Sequence, residues 1–231
     1  MQRLWPQRLL GTATRTQIPF PNKLFSAYCG FLAAIIFWTG VIVVGLMQPE
    51  YQPLADTVSK MGRVGRPFAI ALNGILIVTG LLIAVFALGL PASEKFFRRS
   101  TRDYFVVFGF VGLAGAGLLP CDEICAGNSL ANIVHTLPVA IGFTSLQLAL
   151  LRIANSHKRD YFWAGIPKSS LTTFWAGTLA LIVFMLGRWQ FVPLLDSYAG
   201  LSEKIYLAFL FLFVFTLAKR LYLQSQASTP L

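Results

Sequence analysis

Charge is scarce in this chain. Asp, Glu, Lys and Arg make up 12% of its 231 residues, about half the share of an ordinary soluble domain. With so little charge, a water-exposed surface cannot be built around one core. Histidine occurs twice and cysteine three times. That rules out a disulfide-dense scaffold, and it leaves too few ligands for a tetrahedral zinc site of known spacing. A polar stretch long enough for a soluble domain is also missing, since no interval between the apolar runs exceeds about 20 residues.

What fills the chain is apolar sequence, 56% of the residues. It falls into six runs, at residues 25–47, 68–90, 104–120, 130–153, 171–187 and 201–218. Each is near the roughly 20 residues that cross a bilayer core. The expected fold is an all-α polytopic membrane bundle of six transmembrane helices. The first run is too long for the apolar core of a signal peptide, which spans about 7–15 residues.

The excess of base over acid is a topology signal. With the N-terminus inside, fourteen Lys and Arg fall in inner segments, and five (Lys60, Arg63, Arg66, Arg188, Lys204) fall in outer ones. This asymmetry predicts six spans with both termini cytoplasmic, in a multi-pass protein of the cell inner membrane. Residues 1–24 form a basic cytoplasmic arm, 25–223 the transmembrane domain and 224–231 a cytoplasmic tail. The bases attract anionic lipid headgroups. No soluble face interleaves aromatic and polar groups, so nucleic acid is not an expected partner; membrane lipids are. No cofactor or metal is expected.

The first outer segment lies between Pro49 and Pro67. Leu54, Val58 and Met61 recur at helical spacing, with Asp56, Lys60 and Arg63 opposite. The pattern fits either a short amphipathic helix on the membrane surface or a polar loop. Pro67 suits the first position of the next helix. Gly109, Gly112, Gly115 and Gly117 make the third run a closely packed central helix. The sixth run is nearly all Leu, Phe, Ala and Val, and reads as broadly lipid-exposed.

Polar chemistry gathers in "LLPCDEICAGNSLANIVHTLP", residues 118–138. In an oxidising outer space Cys121 and Cys125 can form a disulfide. Cys29, inside the first run, reads as a buried small hydrophobe. A metal held by Cys121, Cys125 and His135 is the competing reading. Asn128, Asn132 and His135 share one helical face. An ionisable group at that depth is costly unless it faces the bundle interior and finds partners. Candidate partners on neighbouring outer ends are Asp122, Glu123, Asp56, Ser59, Arg66, Arg188 and Glu203. Together with Arg63 they outline a polar pocket at the outer leaflet, or a set of ties between helix ends.

Several stretches carry a family resemblance: Ser59–Gly62 with Gly65–Pro67, then Pro120, Cys121, Asp122 and Cys125 followed by His135, and Gly200 before the last helix. With them the chain resembles the domain-of-unknown-function family numbered 998, six-helix prokaryotic membrane proteins, over roughly residues 25–223. The residue after the serine, often acidic in that family, is Lys60 here. A vaguer similarity links the chain to Frag- and Sfk-type six-helix proteins connected with lipid handling. The resemblance implies fold and topology; the family brings no settled activity.

Three functions remain open. The first is non-catalytic binding or movement of a lipid or small amphiphile at the outer leaflet. The second is a membrane-embedded hydrolase or transferase with Ser59 as nucleophile, His135 as base and Asp122 orienting it. The third is a small-solute transporter. It has only Gln147 as a notable polar group in the inner half of the bundle and no acid at mid-membrane.

Overall fold

The computed structural model of the protein describes residues 22–92, 97–125, 129–156, 163–188 and 191–227. Most of the expected basic arm therefore lies outside the described residues, as does Asn128. Every regular element among the described residues is helical. In chain order they are α1 (Lys23–Met47), α2 (Val58–Met61), α3 (Ala69–Gly89), α4 (Arg99–Val106), a π-helical stretch (Val107–Ala114), α5 (Gly115–Leu118), α6 (Leu130–Ala154), α7 (Ile166–Arg188), α8 (Pro193–Asp196) and α9 (Ala199–Ala227). Five of these, α1, α3, α6, α7 and α9, are long and apolar enough to cross a membrane.

Local chemistry sets their ends. Asn22 caps α1 by accepting the Leu24 N–H, and the helix stops just ahead of Pro49. Ser129 caps α6 by accepting the Asn132 N–H. Pro67 stands before Phe68, the residue that precedes α3, and not at the first helical position. At the far end, α9 runs past its apolar run through Lys219 and Arg220 to Ala227.

The glycine-rich third run is helical from 99 to 118, but in three pieces, so no single α-helix covers it. It lies antiparallel to α6. Arg152, near the C-terminus of α6, donates to the Ser100 hydroxyl and stacks 5.1 Å over the Tyr104 ring. At the opposite end the Leu119 carbonyl meets His135, one and a half turns into α6. Small residues seat this helix tightly between α3 and α6, one member of a ring of helices and not its centre as expected. A Cβ on Gly80 of α3 would fall on the Gly109 carbonyl and 2.6 Å from the Ala114 nitrogen. A Cβ on Gly142 of α6 would fall on the Gly112 Cα. The backbones touch, which is how membrane helices gain packing energy when the hydrophobic effect no longer favours contact. Pro138, inside α6, stacks over Gly115.

The last helix corrects the sequence reading. Instead of facing lipid broadly, α9 packs against α1 and α7. Tyr206, Leu210, Phe211, Phe213 and Leu217 are at most 2% exposed. Phe37 of α1 stacks on Phe211 with ring centroids 4.3 Å apart. An all-apolar helix suits a protein interior and a lipid exterior equally well, so composition alone did not separate them.

Between α1 and α3 the chain forms a strap over the start of α9. The Gly200 and Leu201 N–H groups donate to the Ala55 and Leu54 carbonyls. Gly200 permits this approach, because a Cβ there would fall on the Asp56 backbone. Lys204 donates from Nζ to the carbonyls of Pro53, Asp56 and Gly200 at 3.0, 2.7 and 3.0 Å. The amphipathic pattern thus becomes turns followed by the single helical turn α2. Val58 and Met61 are buried while Leu54 is exposed.

Candidate functional site

The strap delivers α2 to the end of the bundle where α6 begins. Thr57 caps α2 through the Lys60 N–H, and the Glu203 carboxylate of α9 accepts the Val58 N–H at 2.6 Å. Fixed from both sides, α2 turns Ser59 toward α6. Its Oγ lies 3.1 Å from His135 Nε2. The other ring nitrogen, Nδ1, lies 2.7 Å from the Leu119 carbonyl oxygen. A carbonyl only accepts, so Nδ1 donates and the neutral ring presents the Nε2 lone pair to the Ser59 hydroxyl. This tautomer is assigned from the partners. His135 is 6% exposed, while Ser59 is half-buried.

Asp122 does a different job. Its carboxylate accepts from the Ser129 hydroxyl and from the Ile124 and Cys125 N–H groups, while its own N–H donates to Asn132 Oδ1. The Ser129 hydroxyl, with these N–H groups, holds the Asp122 carboxyl below the usual carboxylate range. A lowered pKa means that its share of the turn's stability is present at neutral pH. That share disappears only as acid passes below the ordinary range of an aspartate. Asp122 closes the turn, and the Leu119 carbonyl holds the histidine ring.

Within this turn Cys121 and Cys125 are joined by a disulfide, with Cα atoms 5.1 Å apart. Cys125 sits at φ 52°, and the Val64 N–H donates to the Cys121 carbonyl. The link fastens the turn to the segment following α2. Cys29 is a buried free thiol. A maleimide should therefore label none of the three cysteines promptly in the folded protein. Reductant should expose Cys121 and Cys125 together, read as a two-adduct mass shift. Prompt labelling before reduction would contradict the disulfide. Among the described residues, no group of three His, Cys, Asp or Glu side chains forms a metal site.

The other candidates fall into separate groups. Lys60 pairs with Asp56 at 3.1 Å on the strap. Arg66 donates to the Pro49 carbonyl at 2.9 Å, with Glu50 at 4.0 Å. Glu123 is exposed beside Gly65. Arg63 is half-buried and forms no ion pair among the described residues. Arg188 ends α7, but its side chain lies outside the described residues. An apolar cleft of about 240 Å³ lies along α7, lined by Leu181, Ile182, Met185, Leu186 and Phe191, and none of the candidates borders it.

Sequence reasoning missed three contributors. The Leu119 carbonyl is backbone and has no side-chain signature. Lys204 is a lone base at a helix start, and its three carbonyl partners come from the fold. Tyr51 tucks its ring 5.3 Å below the Lys204 ammonium. Burial, and then the charges of Glu203 and Asp56, push its phenol pKa up, so it stays protonated.

A family model described as "Protein of unknown function (DUF998)" matches residues 31–220, most of the chain. No curated protein and no solved structure matches it.

Proposed function

The chain belongs to the DUF998 family, and on that footing we propose that it is a six-crossing membrane protein that binds an anionic amphiphile at the external face of its bundle. The helical stretch 99–118, antiparallel to α6 along its length, supplies the sixth crossing and brings both termini to the cytoplasmic side. Reporter fusions after residues 100, 160 and 225 should then read cytoplasmic, and fusions after 58, 125 and 195 external.

The observation that carries the binding reading is the setting of Ser59 and His135. This polar pair is part-exposed on its Ser59 side, and the segments that hold His135 also carry Leu118, Leu119, Ile133, Val134 and Leu137, which are 39–65% exposed. A molecule fitting both surfaces has a polar head and an apolar chain. Arg63, four residues beyond Ser59, supplies a positive charge that no acid of the strap neutralises. Lys60 and Arg66, by contrast, are tied within the strap.

Phospholipid retained through purification tests this. Arg63→Ala should lose bound anionic phospholipid severalfold, with melting stability within about 0.5 kcal/mol of the parent, as for an ordinary surface substitution. An unchanged phosphorus content per protein would sink the reading.

A further inference from the structure

We propose that Ser59 and His135 form a nucleophile–base pair that takes an acyl group from a carboxylic ester of a membrane amphiphile and passes it to water. The inference rests on the binding reading above and assigns a reaction to the same place.

Three features carry it. The first is the hydrogen-bond polarity. With Nδ1 donating to the Leu119 carbonyl, Nε2 accepts from the Ser59 hydroxyl at 3.1 Å, the arrangement in which imidazole removes a proton from an attacking oxygen. The second is the difference in access. The base is buried and held, while the nucleophile is part-exposed, and the segment whose carbonyl holds the base carries exposed Leu118 and Leu119, apolar surface for an acyl chain. The third is the choice of residue. A tie between α2 and α6 needs only a donor and an acceptor, which an asparagine or glutamine supplies without burying an ionisable ring in a span. The orienting group is a neutral carbonyl, because the Asp122 carboxylate is taken up by Ser129 and the turn.

The reaction balances without a further co-reactant than water. Oγ bonds to the acyl carbon as the ester C–O bond breaks. The Ser59 proton moves to Nε2 and on to the departing alkoxide, which leaves as an alcohol. Water then attacks the acyl-Ser59 ester. Nε2 takes the water proton and returns it to Oγ, and a carboxylic acid is released.

A long-chain alkyl fluorophosphonate reports the nucleophile directly. The probe is added to the full chain in nanodiscs of mixed neutral and anionic phospholipid, and the adduct is located by mass spectrometry. An adduct at Ser59 is expected in the parent and none in Ser59→Ala. His135→Gln, which keeps a hydrogen-bonding side chain but no base, should react at least ~100-fold more slowly. Melting temperatures establish that each variant is folded. Should His135→Gln fail to fold, hydrolysis of a long-chain p-nitrophenyl ester decides: the parent turns it over and Ser59→Ala, which loses one hydroxyl, does not. No Ser59 adduct in the parent, or an undiminished rate in folded His135→Gln, overturns the proposal. Retained phospholipid without an adduct overturns the reaction and leaves the binding reading standing. An adduct in a protein that retains no phospholipid overturns the binding reading and the membrane-ester substrate with it.

Discussion

Gly80→Val should leave little folded protein, whereas Gly74→Val, six residues earlier on the same helix, should be nearly silent. A Cβ at 80 meets the Gly109 carbonyl and the Ala114 nitrogen, 2.6 Å away. Both atoms are backbone, so no side chain can rotate aside. The π-helical stretch carrying them has no room to retreat either, because Gly112 already rests against Gly142 of α6. Overfilling a packed interior costs about 1–3 kcal/mol, and more where backbone must shift. Three helices share this seam, so the loss should reach or exceed the top of that range. At Gly74 a Cβ meets nothing within 4 Å. Fluorescence-detected size exclusion and melting in one detergent compare the pair. Similar losses in both variants would show that helix propensity, and not the backbone seam, governs α3.

Lys204→Met should unfasten the strap and cost about 3 kcal/mol, the order expected when charge-assisted bonds of about 1.5–3 kcal/mol each are lost and exposed carbonyls recover water. The ammonium holds three carbonyls, two of them on the strap. Methionine keeps an unbranched stem of similar length but donates nothing. Asp56→Asn is the control: it breaks a part-exposed pair with Lys60, a kind of interaction worth about 0–1 kcal/mol. Proteolysis within 50–57 should rise sharply in Lys204→Met and little in Asp56→Asn. Equal sensitivity would mean that the Lys60 pair carries the strap.

The five helices able to span a membrane were legible because each is a long apolar run. The third run was legible as a packed helix from its glycines, but not as a π-interrupted one, which depends on contacts with α3 and α6. The last helix was misjudged because leucine and phenylalanine do not distinguish lipid from protein as neighbours. At the candidate site, Ser59 and His135 were both visible as unusual residues. Their meeting was not, since 76 residues separate them and the strap that joins them is anchored by Glu203 and Lys204. Asp122 looked like a partner for the histidine. In the fold its oxygens accept from nearby N–H groups and Ser129, while the two ring nitrogens meet Leu119 and Ser59.

The strap also imposes an order on biosynthesis. Its sequence leaves the ribosome early, yet the carboxylate that caps α2 and the ammonium that gathers its carbonyls stand 145 and 148 residues downstream. At roughly 5–20 residues per second, that interval lasts about seven to thirty seconds. Throughout it, α2 lacks the Glu203 carboxylate and the strap lacks the Lys204 ammonium, leaving only the contacts to the Asn73 and Cys121 side. The final helix acts as the clasp: a chain truncated before it lacks both side chains that fasten the strap.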